Sequence, residues 1–404
     1  MSFHAVRRTL FTIHMWVGLI LGILLAALGL SGSMLVYDDK IADFLAPVPR
    51  AETAGDPLPL SMIEDIAARA AAEKGVQGQM QIVLPDDAGK PISVRMGGLS
   101  PMGNMPEVNR EGGPRREGGE RRRREGAGEA GGGGPRSQLQ VFIDPVSGAV
   151  LGTRKALLPP ILTFAHQLHG NFLMGRDGRG WVVGPLGVAM CLLGLSGLVL
   201  WWPRRGQWKY AFLVRRTARG LRFHRELHAA TGIWIFVVFM IVSFSGVVIV
   251  WPQTMGMNPP GFNPRSQPTV EPQDAKVLGA TEAVIAARKA LPGAELRSVT
   301  IPARPGQAIG VAFLNHGAIN AQVFLNPYTG QVLQVRDPSA RFMAWQRPIH
   351  QGSGLGAVWK FLVFLSGLVP LLFVVTGVIM WAKKRRRRVP MTMLTDDVIA
   401  GEAA

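Results

Sequence analysis

Four apolar stretches, each long enough to cross a bilayer and charged only at Lys360 near the start of the last, limit what this chain can fold into. They run Thr9–Val36, Trp181–Trp202, Ile233–Trp251 and Val358–Trp381. A crossing needs about 20 apolar residues, and the backbone must satisfy its own hydrogen bonds there, so such stretches fold as helices. Polar, Gly/Pro-rich segments separate them, which excludes an ordinary soluble enzyme and a wholly disordered chain. The net charge of +17, from 44 Lys+Arg against 27 Asp+Glu, hints at nucleic acid only until its distribution is read. Arg7 and Arg8, the run from Arg204 to Arg225, and Lys383 to Arg388 all flank apolar stretches. Positive charge in that position marks the cytoplasmic side. The expected partner is the lipid bilayer, with anionic headgroups near the tail; no nucleic acid is expected.

Both termini are then cytoplasmic, with 37–180 and 252–357 outside, 203–227 a basic cytoplasmic loop and 383–404 a basic tail. The third membrane helix, counted from His228, covers 228–251, and the fourth covers 358–382. Arg7-Arg8 ahead of the first stretch resembles a signal sequence. That stretch is too long, and no small-x-small cleavage site closes it, so an uncleaved anchor is expected. The one cysteine, Cys191, lies in an apolar stretch, and the absence of Cys-x-x-Cys-His excludes covalent haem attachment.

The chain repeats itself. His14-Met-Trp-Val-Gly18 matches His228-Ala-Ala-Thr-Gly232, Val141-Phe-Ile-Asp-Pro-Val-Ser-Gly148 matches Val323-Phe-Leu-Asn-Pro-Tyr-Thr-Gly330, and His169 matches His350. The unit is helix, external domain, helix. The copies stand further apart at the first motif than at the second, so the first copy carries a surplus before Val141. Residues 97–137 are that surplus: Gly, Arg and Glu, including Gly131 to Gly134. Such a composition buries too little apolar surface to offset ordering entropy, and a disordered insertion is expected.

Each external module reads as a helix (Leu60–Lys74; Ala280–Leu291) beside short alternating strands. The strands are Gln79–Leu84, Ile92–Met96 and Leu139–Ile143, mirrored by Leu296–Ile301, Ala308–Leu314 and Ala321–Leu325. Asp144-Pro-Val-Ser-Gly148 and Asn326-Pro-Tyr-Thr-Gly330 are turns by composition. The expected fold class is an α-helical membrane protein: four transmembrane helices in two helix–domain–helix repeats, with two small α+β external domains.

Six of the 8 histidines sit at ends of apolar stretches: His14, His166, His169, His224, His228 and His350. Ionisable groups at such depth cost free energy and usually serve a function. By the topology above, His14 and His228 share the inner leaflet, and His169 and His350 the outer. A haem iron bound on both faces needs imidazoles from different helices. His224 and His228 lie on one helix and point the same way, as roughly do His166 and His169, so neither local pair can sandwich a macrocycle. The cross-helix pairs His14/His228 and His169/His350 can, and repeat alignment selects them; His166 and His224 stay in reserve. Zinc or copper is the next metal choice, but no carboxylate or thiolate accompanies these histidines. Small pairs end each stretch (Ser31-Gly32, Ser196-Gly197, Ser245-Gly246, Thr376-Gly377), letting a helix or a flat cofactor approach.

With these motifs in order, the chain resembles the PepSY-associated transmembrane family, often called iron-regulated membrane proteins. The likeness rests on His14-x-Trp-x-Gly-Leu, His166-Gln-Leu-His-Gly170, Arg225-Glu-Leu-His228, the two Pro-x-Ser/Thr-Gly turns and Thr376-Gly-Val-Ile-Met-Trp381. It covers nearly the whole chain except 97–137. The resemblance implies PepSY-like external domains in a bacterial inner-membrane protein. It also implies a ferric-siderophore reductase with two b-type haems (haem b), whose axial ligands are His14, His228, His169 and His350. Arg222 and Arg225 inside, and Arg347 or Arg176 outside, are candidates to hold the propionates. Trp16, Trp234 and Phe364 are candidates to pack on porphyrin. The chain has no dinucleotide-binding glycine motif, so the donor is a separate cytoplasmic reductant or a membrane quinol, and the acceptor a periplasmic ferric siderophore or other oxidant. Competing readings are a non-redox, membrane-anchored PepSY binding or regulatory protein, and a metal transporter.

Overall fold

A computed structural model describes residues 3–87, 89–97, 139–155, 158–256, 266–315 and 319–386. The expected insertion lies outside the described residues except at Gly97, as do His316 and the tail beyond 386. Among the described residues, four helices are long and apolar enough to span a membrane: α1 (Phe3–Val36), α6 (Gly184–Trp201), α8 (Gly220–Val250) and α11 (Gly356–Arg386). The shorter helices are α2 (Asp38–Leu45), α3 (Leu60–Glu73), α4 (Pro160–Asn171), α5 (Gly175–Gly178), α7 (Trp208–Ala211), α9 (Ala280–Arg288) and α10 (Gln346–Gln351). One π-turn, Arg179–Val183, leads into α6.

The bundle packs through absent side chains. Gly29 of α1 backs onto Gly367 of α11, and Ser33 Oγ donates to the Phe364 carbonyl at 2.7 Å. Gly194 and Gly187 of α6 lie against Met240 and Val247 of α8. Lipid supplies little hydrophobic drive between helices, so contact at small residues supplies the packing. The third membrane helix starts earlier than 228. It begins at Gly220, which keeps His224 on one helix with His228 and places Arg222 and Arg225 on the helix instead of in the expected loop. Their charges interrupt the apolar run without breaking a helix, since neither Pro nor Gly follows Gly220 until Gly232.

Strands β1 (Gln79–Val83), β2 (Ile92–Gly97), β3 (Leu139–Ile143), β4 (Val150–Arg154), β5 (Glu295–Ile301), β6 (Ile309–Asn315), β7 (Ile319–Leu325) and β8 (Val332–Arg336) form one antiparallel sheet. Its order is β4-β3-β2-β1-β5-β6-β7-β8. The two α+β modules are therefore joined. β1 pairs with β5, Met80 opposite Ile301 and Ile82 opposite Val299, which removes one edge from each half. Alternate residues Ile82, Val94, Val141, Val299, Val311 and Val323 face α3 and α9 and are fully buried. Each such side chain contributes about 1.5–3 kcal/mol by leaving water. Ala67, Ala71, Ala283 and Ala287 let the helices lie close to the sheet. The edge strands β4 and β8 escape a pattern reading because β8 is largely exposed, β4 is half-buried, and neither has a buried alternation.

The repeat shows in local detail. Asp144 Oδ1 accepts from the Val146 and Ser147 amides at 2.9 Å each, and Asn326 Oδ1 accepts from Tyr328 and Thr329 at 2.9 and 3.3 Å. Gly148 and Gly330 close these turns at φ 72° and 73°, where a Cβ would be strained.

Candidate functional site

His14 on α1 and His228 on α8 face each other at the bundle end bearing the basic loop, with ring centroids 6.4 Å apart. At the end nearer the sheet, His169 on α4 and His350 on α10 face each other at 5.9 Å. Two metal–imidazole bonds of about 2 Å each, with about 1 Å more from each nitrogen to its ring centre, put two rings sharing a metal about 6 Å apart. Both pairs have that separation. Along α1, the rise from His14 to Leu28, the residue that seats His169, is about 21 Å.

Every Nδ1 is engaged. His14 Nδ1 meets Ser196 Oγ at 2.8 Å, and His228 Nδ1 meets Thr376 Oγ1 at 2.7 Å. Both hydroxyls give their own protons to helix carbonyls, Ser196 to Leu193 and Thr376 to Leu372, so they accept from the imidazoles. His169 Nδ1 donates to the Leu28 carbonyl at 2.9 Å, and His350 Nδ1 to the Val242 carbonyl at 2.8 Å. A proton fixed on Nδ1 leaves the Nε2 lone pair free, which is how a neutral imidazole is prepared to bind a metal. Each Nδ1 is held within its own repeat, and each facing ring comes from the other.

The small-residue pairs seen in the sequence form these seats. Besides Ser196 and Thr376, Ser245 Oγ lies 3.3 Å from His350 Nδ1. A Cβ at Gly32 would come within 2.7 Å of His169 Cε1, and one at Gly246 within 2.9 Å of His350 Cε1. The sequence flagged these pairs as helix-packing or cofactor-clearance features; their role as hydrogen-bond acceptors carried no separate signal. Among the described residues no group of three or more His, Cys, Asp or Glu gathers at a site. Two imidazoles alone suit a metal already held by four in-plane nitrogens, whereas zinc takes three or four protein ligands.

Other candidates fall elsewhere. His166 pairs with Asp38 at 3.3 Å, and His224 lies against Phe223; neither joins a facing pair. Arg222 Nε donates to the buried Glu226 carboxylate at 2.9 Å, which Arg215 also grips, and Arg225 is exposed. Arg347, on α10, lies within electrostatic reach of both His350 and Arg179. Arg179 was not anticipated; its guanidinium donates to the Ile249 carbonyl at 2.7 Å. The ring beside His228 is Phe373, at 4.5 Å. Trp16 and Trp234 turn outward, 48% and 72% exposed, and Phe364 lies against Tyr37.

No curated protein matches the chain. The sequence profile of the PepSY-associated TM region matches residues 11–384, from the first membrane helix through the sheet domain to the end of the fourth. On that match the chain belongs to the PepSY-associated transmembrane family.

Proposed function

We propose that this membrane protein carries electrons across the bacterial inner membrane through two b-type haems, one at each histidine pair, and reduces a periplasmic ferric complex such as a ferric siderophore. Both termini lie in the cytoplasm on this reading, and the sheet domain faces the periplasm, because the basic clusters gather at the end opposite the sheet. A bound haem supplies a one-electron Fe(III)/Fe(II) couple and four in-plane nitrogens. The observation that carries the reading is the doubled imidazole pair at about 6 Å with all four Nδ1 atoms tied back.

The chain's own residues would do the rest. Ser196, Thr376, Leu28 and Val242 hold the four rings in one tautomer and limit their rotation. Gly32 and Gly246 leave the space that the outer rings occupy. Arg347 and Arg179 bring paired positive charge to the outer site, where porphyrin carboxylates would find charge-assisted donors. Delivering one electron to a ferric complex weakens its hold on iron, because hard oxygen donors bind Fe(III) far better than Fe(II). The donor is a cytoplasmic reductant or a membrane quinol.

Purified full-length protein, produced with haem supplied, should give a reduced-minus-oxidised spectrum of the low-spin b type. His14→Ala and His169→Ala should each remove about half the haem, since each takes one of two sites. Reduced protein should be reoxidised by ferric siderophores. A purified protein without a Soret band, or with wild-type haem content in both variants, overturns the proposal.

A further inference from the structure

A groove of about 610 Å³ opens on the side of the bundle between α8 and α11. Ala230, Trp234, Leu368 and Leu372 form two of its walls, and the third is the segment Phe212 to Val214, which folds back beside α8. Two tryptophans hold that segment: Trp234 Nε1 donates to the Phe212 carbonyl and Trp201 Nε1 to the Ala211 carbonyl, both at 2.9 Å. The wall is thus a built feature and not merely the gap between neighbouring helices. The groove is almost wholly apolar.

The wall segment leads directly into a cationic stretch. Val214 runs directly into Arg215 and Arg216, followed by Arg219 and Arg222. The only carboxylate between Arg204 and Arg225 and the start of the apolar run, Glu226, is already gripped by Arg215 and Arg222. Arg216 and Arg219 are exposed and have no carboxylate partner among the described residues. Trp202 at the entry to the same basic loop, and Trp208 and Tyr210 within it, are exposed, residue types that settle at headgroup depth, and the Tyr210 ring lies 5.4 Å from the Arg215 guanidinium. An apolar slot whose wall continues straight into unneutralised guanidiniums is complementary to a molecule with an acyl chain and an anionic head.

We propose that this groove is a specific site for an anionic glycerophospholipid, an acyl chain lying between α8, α11 and the Phe212–Val214 wall, and the phosphate held by Arg216 and Arg219. The inference rests on the groove and the cationic stretch alone and stands whether or not the histidine pairs hold haem.

The test is native mass spectrometry of the full chain released from nanodiscs of phosphatidylglycerol mixed with phosphatidylcholine. Wild-type protein should retain phosphatidylglycerol selectively. Arg216→Gln with Arg219→Gln should lower that preference roughly tenfold to thirtyfold, and Leu368→Trp, which fills the slot, should abolish retention with the arginines intact. The arginine variants alter only exposed side chains, so they decide the matter even if Leu368→Trp fails to fold. Equal retention of both lipids, unchanged preference in the arginine variants, or a quinone retained in place of phospholipid overturns the proposal. Haem content measured on the same samples separates failure here from failure of the redox reading.

Discussion

At the histidine pair near the basic loop, each Nδ1 donates to a side-chain hydroxyl, Ser196 or Thr376; at the pair near the sheet, it donates to a main-chain carbonyl, Leu28 or Val242. Clearance differs as well. Around the sheet-side rings a Cβ on Gly32 or Gly246 would intrude, whereas a Cβ on Gly197 would stay 3.5 Å from His14 and one on Gly377 would touch nothing within 4 Å. One pair is therefore defined by oxygens that a mutation can delete, and the other by atoms that a mutation can add. Equivalent ring separation has been reached by two constructions, and each is vulnerable where the other is robust.

Substitutions can break this contrast in graded order. The largest effect belongs to Gly32→Val, which forces branched carbons into the His169 ring. On the proposed haem reading, binding at the sheet-side pair should vanish while the other pair keeps its own, leaving about half the haem by pyridine haemochrome assay. Equal loss at both pairs would refute the separate construction. Next comes Ser196→Ala or Thr376→Ala, which strands an Nδ1–H without its acceptor. Loss of an outer hydrogen-bond partner of this kind costs about 10–100-fold in metal affinity, to be read by haem transfer to apomyoglobin.

A smaller effect concerns the two turns of the sheet domain. The backbone amides of Ser147 and Val146 hold the Asp144 carboxyl down at about 2, below its ordinary value near 3.9. Its contribution is complete above about pH 4 and is lost as pH falls toward 2. Amide protection at Val146 and Ser147, relative to the intrinsic exchange rate at each pH, should therefore fall over that window, while that of Tyr328 and Thr329, held by the untitratable Asn326, should not. Asp144→Asn should remove the pH response. The smallest effect is that of Ser245→Ala, because the Val242 carbonyl already takes the His350 proton; haem affinity should change less than threefold, and a tenfold loss would show the hydroxyl to be the true acceptor.

Much of the architecture could be read from residues alone. Long apolar runs announce membrane helices, and the strands of the buried sheet centre alternate as they should. Duplication pointed to which imidazoles face each other, because a match such as His14 with His228 marks equivalent places in two copies. The edge strands β4 and β8 stayed hidden, since a strand with one neighbour need not alternate. Fusion of the two modules through β1 and β5 was also invisible, as pairing between distant strands leaves no periodic trace. Near the histidine pairs, the grip of Arg179 on the Ile249 carbonyl and of Arg222 on Glu226 also left no trace in the sequence, because what a guanidinium holds depends on which carbonyl or carboxylate the fold brings within reach, and spacing along the chain does not say.

Every imidazole is braced inside its own half and faces its mate from the other. A polypeptide made of one half could complete neither centre by itself; it would need a second copy turned about a twofold axis, and would then complete both at once. Joining the halves in a single gene product replaces a concentration-dependent encounter with permanent neighbours. It also leaves each half free to differ from the other, as Ser196 differs from Thr376 and Asp144 from Asn326.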